Sequence, residues 1–122
     1  MVSAVFHNRL KKGMKLESDV TIHYITGVKK MNLSSTDVAV DSPYNTYKNK
    51  GLPPGPICSP SAAAIRAALY PDETYLAEGY LYFCAKDPSS GELYFSRTLK
   101  EHEQAVAIYA PLWEAWDKER GI

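Results

Sequence analysis

The chain has 122 residues, with 14 basic and 14 acidic side chains and a formal charge of zero. That length implies one domain, and a balanced charge with no basic stripe argues against nucleic acid and fits an uncharged polysaccharide better than a polyanion. No apolar run approaches the roughly 18 residues of a membrane span, and no signal-peptide layout is present.

In chain order, Val2 to Lys12 reads as a helix, because Val2, Val5, Phe6 and Leu10 recur at three- and four-residue steps. Met1 falls inside that expected helix, with no N-cap residue before it. Lys11 and Lys12 suit its C-terminal dipole and Gly13 its left-handed end. Ser18 or Asp19 can cap the next segment, Val20 to Ile25, which is too short and too β-branched to assign to helix or strand. Ser34 or Ser35 through Val38 looks like one helical turn. Ser59 as N-cap and Pro60 at the first helical position predict a helix through Leu69, with Ala62, Ile65, Ala68 and Leu69 inward. The Tyr70-Pro71 step ends it. Gly79 to Lys86 and Glu92 to Arg97 alternate in polarity and are rich in aromatics, predicting a hairpin around Asp87 to Gly91. Thr98-Leu99-Lys100-Glu101 is a capping box. It opens a long last helix with a stripe at Leu99, His102, Val106, Tyr109, Leu112 and Trp116, kinked at Pro111. The order helix, irregular loop, helix, antiparallel hairpin, long helix is α+β.

The loop before the second long helix is the densest signal. Ser42-Pro43-Tyr44-Asn45-Thr46-Tyr47 is followed by Gly51-Leu52-Pro53-Pro54-Gly55-Pro56-Ile57. It holds too much Pro and Gly for a helix or central strand, and too many aromatic and amide side chains for a flexible linker. Rigid loops of this composition carry binding sites. A crossover loop whose tyrosines complete the core has the same composition, and both readings stand on pattern alone.

The same residues carry a resemblance. The run SPYNTY with GLPPGPI, the block from Asn8-Arg9-Leu10 through Gly13-Met14 to Leu16-Glu17-Ser18-Asp19, and the closing Tyr80-Leu81-Tyr82-Phe83, Phe95-Ser96-Arg97-Thr98 and Glu101-His102 resemble the YceG-like endolytic murein transglycosylases in order and spacing. The resemblance covers about Val2 to Val106. It implies a lytic cut of peptidoglycan glycan strands in the intact protein. It also implies action on the extracytoplasmic face of a bacterial membrane, a single upstream anchor, and possible contact with cell-wall synthesis proteins. The family's essential glutamate sits in a V-E-K-E-like helix shortly before the Asn-Arg-Leu block. No such run occurs here, so that glutamate is expected upstream of Met1. The 122 residues are therefore expected to be the C-terminal part of the catalytic domain, without the catalytic helix, LysM-like region or anchor. That part is expected to be inactive alone and able to dimerise through apolar surface at Val2, Val5 and Phe6.

Lytic cleavage uses one carboxylic acid. It protonates the glycosidic oxygen and then, as carboxylate, draws the proton from the C6 hydroxyl that attacks C1. With no catalytic residue assigned in this chain, the candidates are substrate contacts. Asn45 can donate and accept toward an acetamido group, with a turn amide bonded to its own backbone as the competing role. Thr46 lies in the same run. Tyr44 and Tyr47 offer ring faces and hydroxyls, although core packing is expected of one of them. Leu52, Pro53 and Pro54 form a stiff apolar wall. Ser18 and Asp19 serve either as a helix cap or as substrate contacts.

Other residues invite stronger roles than their setting supports. His102 falls on an apolar stripe and is read as a satisfied, partly buried histidine. His7 and His23 lack partners at metal spacing. Glu17, beside Lys15, is not read as a surrogate acid. Lys11-Lys12 and Lys29-Lys30 are read as solvated ends. Cys58 and Cys84 make no metal pattern and are expected to be buried free thiols. Two alternatives remain: a glycan-binding or scaffold module without cleavage, and an aminodeoxychorismate lyase, a label that relatives sometimes carry. The second lacks a Schiff-base lysine in an apolar setting and a phosphate-cradling loop. No cofactor or metal is expected.

Overall fold

The structure, a computed structural model, describes residues 1–27, 30–31 and 33–121; Lys29 lies outside them. It is α+β. Helices α1 (Val2–Lys12) and α2 (Asp19–Thr26) are followed by a 3-10 turn at Asp37–Ala39, then α3 (Ala62–Leu69) and α4 (Glu73–Glu78). Strands β1 (Tyr82–Ala85) and β2 (Leu93–Ser96) form the hairpin before the long helix α5 (Leu99–Glu119).

The start of α1 corrects one expectation. Met1 is its N-cap residue and not a position inside it; the side chain makes no capping bond and is 56% exposed. A thioether on a flexible stem has no strong acceptor for the first amides, so it cannot act as Ser or Asp does there. The helix ends where its sequence says it should. Gly13 takes φ 70°, and the amides of Gly13 and Met14 return to the carbonyls of Leu10 and Arg9. Its inward face differs from the predicted stripe. Ala4, Val5 and Arg9 are buried while Leu10 is exposed. Val5 is covered, and half-buried Phe6 meets Phe83 edge-on at 5.8 Å. The expected exposed patch is thus absent at Val5. The unassigned segment after Ser18 is helix α2, which the Gly27 left-handed cap closes.

Two expectations about the middle of the chain are also corrected. The N-cap of α3 is Ser61, two residues later than predicted, with its hydroxyl accepting from the Ala64 amide at 3.1 Å. All of α3 is exposed, including Ile65 and Leu69, the latter at 68%. A short helix, α4, follows Pro71 and was not predicted. Asp72 caps it through the Tyr75 amide at 3.0 Å.

The hairpin is antiparallel, with Tyr82 opposite Ser96 and Phe83 opposite Phe95. Helix α5 packs on both strands, and α1 packs on β1 and α4. Thr98 accepts from the Glu101 amide at 3.2 Å, as a capping box requires. The buried face of α5 is Ala105, Trp113 and Asp117, with His102, Val106, Tyr109 and Trp116 half-buried beside it. Leu99 and Leu112, predicted inward, are exposed. The helix continues through exposed Pro111. Cys84, Ala105 and Trp113 form the packed centre, and the Trp113 indole donates to the Ala85 carbonyl at 3.0 Å. Cys84 is buried as expected, whereas Cys58 is exposed; both are free thiols.

Candidate functional site

The packing of α1, the turn before α2, β1 and α5 leaves a cavity of about 650 Å³. Its polar groups include Arg9 from α1, Glu17 and Ser18 from the turn, Asp19 from the first position of α2, Tyr47 from the loop, and His102 from α5. Phe6, Leu16, Leu81 and Tyr82 supply apolar and aromatic wall. A few convergent polar groups in a largely apolar hollow is the usual build of a ligand site.

Each polar group is held by a local cause. Arg9 is buried. Its Nε donates to the Leu81 carbonyl at 2.6 Å, its Nη1 reaches the Lys15 carbonyl, and the same nitrogen pairs with Glu17 at 3.3 Å. Its guanidinium also stands 4.8 Å from the centre of the Tyr82 ring. Arg9 therefore ties α1 to the entrance of β1 and to the turn. Glu17 adopts φ 49°, a left-handed conformation that is strained for a residue with a Cβ. This places Ser18 at the N-cap of α2, although its side chain makes no capping bond.

The Tyr-Asn-Thr-Tyr run meets this turn in an ordered way. Asn45 is 0% exposed. Its amide nitrogen donates to the carbonyls of Val38 and Val40 at 3.0 and 2.7 Å, and its oxygen accepts from the Tyr47 amide at 2.9 Å. Thr46 is buried too; its hydroxyl accepts from the Ser18 amide at 2.9 Å and meets the Thr21 hydroxyl at 2.8 Å. These two residues use their polar groups to latch the loop. The result is Tyr47, whose hydroxyl donates to Asp19 inside the cavity.

The predicted contacts thus divide. Ser18, Asp19 and Tyr47 come together in one cavity. Asn45 and Thr46 lie behind it. Tyr44 packs on Tyr24 at 5.1 Å, and a Cβ at position 55 would stand 3.1 Å from its hydroxyl, so a side chain there requires the phenol to give way. Leu52 and Pro54 are exposed, Leu52 at 74%, and with Pro53 they stand outside the cavity lining. Met1 also stands outside it, one turn before Val5, which does line the hollow.

His102 corrects the sequence reading in one respect. It is half-buried, but it is not satisfied: its Nδ1 is sealed from solvent with no hydrogen-bond partner among the described residues. The ring stacks on Tyr82 at 5.1 Å and 24°. Arg9 and His102 therefore converge on Tyr82. Nothing in the spacing of the Asn-Arg-Leu block marks Arg9 as buried.

Burial sets the protonation of this cluster. It raises the Asp19 carboxyl above its ordinary range, partly offset by the Tyr47 hydrogen bond and by His23 and His102. Burial and the adjoining Asp19 raise the Tyr47 phenol, so it stays a donor. His102 is lowered, first by burial and then by Arg9, against the pull of Glu17, Glu103 and Asp19. Its imidazole is neutral near pH 7. Among the described residues, no group of three or more His, Cys, Asp or Glu is placed to hold a metal ion.

Comparison with known proteins supplies the lineage. The YceG-like family matches residues 1–108. An endolytic murein transglycosylase of Bacillus subtilis (strain 168) is 49% identical over 108 residues, covering 88% of this chain and 28% of that protein. A protein of the same name from Streptococcus pneumoniae (strain ATCC BAA-255 / R6) is 38% identical over 112 residues, covering 88% of this chain and 19% of its own. The crystal structure of a yceG-like protein from Listeria monocytogenes superposes with a TM-score of 0.72 at 47% identity, over 85% of this chain and 31% of that one. The chain spans less than a third of the length of these relatives. With the family matching nearly nine-tenths of its residues, the chain belongs to the YceG-like family.

Proposed function

We propose that this chain forms the glycan-holding part of a lytic transglycosylase that cuts peptidoglycan strands internally and leaves 1,6-anhydro ends. The observation that carries this reading is its 49% identity to an endolytic murein transglycosylase across most of its length. The cavity supports it. Asp19 and Tyr47 form a hydrogen-bonded pair able to meet sugar hydroxyls, Ser18 stands beside them, and the apolar wall of Phe6, Leu16 and Leu81 suits a sugar face.

In this mechanism one acid protonates the glycosidic oxygen as the C1–O bond breaks. The same group, now carboxylate, takes the proton of the C6 hydroxyl as that oxygen closes on C1. The acid is assigned to the family's glutamate, in a helix preceding Met1 and outside the 122 residues. Here Asn45 and Thr46 act as latches behind the site, while Ser18, Asp19 and Tyr47 are the substrate contacts. The setting is the extracytoplasmic face of the membrane, with a membrane anchor supplied by another part of the protein. No helix among the described residues is long and apolar enough to cross a membrane.

The test is a chimera in which residues 1–108 replace the matching stretch of the Bacillus subtilis relative. Sacculi are digested with the chimera and with the 122-residue chain alone, and the products are read by mass spectrometry. The chimera should release 1,6-anhydro muropeptides and the chain alone should not. A folded chimera that yields no anhydro product contradicts the proposal, and anhydro product from the chain alone contradicts the placement of the acid.

A further inference from the structure

Among the described residues, Glu17 is the one non-glycine with a left-handed backbone, at φ 49°; every other such position is a glycine. A Cβ there carries a conformational cost that glycine avoids. The turn is pinned from both sides. Arg9 Nη1 donates to the Lys15 carbonyl, the Glu17 amide donates to the Thr46 carbonyl at 3.2 Å, and the Ser18 amide donates to the Thr46 hydroxyl at 2.9 Å. None of these bonds uses the Glu17 side chain, so a glycine at 17 closes the same turn without strain. The glutamate is therefore explained by its carboxylate, not by the turn. That side chain lines the cavity and is 44% exposed, so it is open to a ligand. Among the described residues its carboxylate bonds Arg9 alone, with Oε2 receiving Nη1 at 3.3 Å. The buried guanidinium already has the Leu81 and Lys15 carbonyls as acceptors and lies 4.8 Å from the Tyr82 ring centre. An ion pair with one half-open partner adds little stability. A carboxylate anchored on a buried cation through one oxygen, with the other oxygen unused, is organised for a donor from outside the chain.

We propose that Glu17 is a further substrate-contacting residue, whose carboxylate accepts a hydrogen bond from a hydroxyl of the glycan. A carboxylate is an acceptor only, and sugar hydroxyls are donors within its reach. Bonds to an ionised group are stronger than neutral ones. Arg9 holds the carboxylate before the sugar arrives, so little rotamer freedom is lost on binding. Glu17, Ser18 and Asp19 then meet the sugar from three consecutive positions. Glu17 binds and does not transfer the proton, which stays with the glutamate assigned upstream. This inference rests on the glycan-cleaving reading above.

The test measures binding of a soluble peptidoglycan tetrasaccharide, with its stem peptides attached, to the 122-residue chain and to two variants. Glu17→Gly takes up the same backbone without strain and removes the carboxylate. Glu17→Gln keeps the length of the side chain and one acceptor oxygen. Affinity should fall roughly tenfold to a hundredfold in Glu17→Gly, with part of the loss recovered in Glu17→Gln. Binding is measured well below the melting temperature of each protein, so the folded fraction does not enter. In the parent, the 13C signal of the Glu17 carboxyl should move as the tetrasaccharide is added. Parental affinity in Glu17→Gly overturns the contact. A carboxyl signal that stays fixed while the parent saturates also overturns it, and assigns any loss of affinity in the variants to the shape of the turn. A parent that does not bind the tetrasaccharide contradicts the glycan reading itself, and this contact with it.

Discussion

At the scale of single residues, Asp19 shows how one group can serve the cavity at the expense of the fold. Its carboxyl pKa is raised from the ordinary 3.8 chiefly by burial. Below that value, folded and unfolded chains both hold the proton. Between it and the higher folded value, the native state binds more protons than the unfolded state, so stability falls as pH rises through this window. Above the folded value the protein carries the whole penalty of a half-buried charge. Asp19→Asn keeps an acceptor for the Tyr47 hydroxyl and removes the charge. Its melting temperature is expected to exceed the parent's at pH 7 by a few degrees, one kilocalorie being about 3–5 °C in a chain of this size. The two should converge as pH approaches 4. Thermal melts of both proteins from pH 4 to 7 check this. A variant that melts below the parent at pH 7 would show that the charge is satisfied, not penalised. Asp19 was legible as a candidate because of its place after Ser18. Its pairing with Tyr47 was not, because it depends on two segments 28 residues apart meeting.

At the scale of elements, the loop from Ser42 to Tyr47 was legible as a rigid structure but not in its orientation. Composition says that an amide and two phenols are present; it does not say which way they point. In the structure the Asn45 amide closes the loop on Val38, Val40 and Tyr47, the turn role held open beside the sugar contact. Asn45→Ala leaves two carbonyls without their donor in a buried place. The expected cost is about 2–4 kcal/mol, which lowers the melting temperature by roughly 6–20 °C. Calorimetry on parent and variant measures it, and a loss below a degree would show that the latch contributes nothing. The helices were legible to different degrees for physical reasons. Helix α1 has an apolar repeat, a basic last turn and a glycine stop, so its end follows from local chemistry, while its start at Met1 carries no capping side chain to announce it. Helix α3 has a strong apolar repeat yet lies exposed, because its neighbours, not its sequence, decide what covers it. Helix α4 is less than two turns long, too short for any repeat to show. In α5 the predicted stripe drifted onto Leu99 and Leu112, while the packing face runs through Ala105 and Trp113. Pro111 sits inside that helix on its exposed side, where the absent amide proton leaves the Ala107 carbonyl to solvent.

At the scale of the whole molecule, separate parts of the chain converge on one hollow: α1 through Arg9, the turn and the start of α2 through Glu17 to Asp19, the loop through Tyr47, the hairpin through Tyr82, and α5 through His102. The large exposed apolar side chains of the middle segment, Leu52, Ile65, Leu69 and Tyr70, lie away from it. The central claim is that this hollow, and not the Pro-rich wall, holds the glycan. The most direct measurement is a titration of the isotopically labelled 122-residue chain with a soluble N-acetylated glycan oligosaccharide, followed by amide and side-chain NMR. Chemical shifts should move at Asp19, Tyr47, Tyr82 and His102 while Leu52 and Leu69 stay still. Shifts confined to Leu52 and Leu69, with the cavity signals unmoved at saturation, would contradict the account.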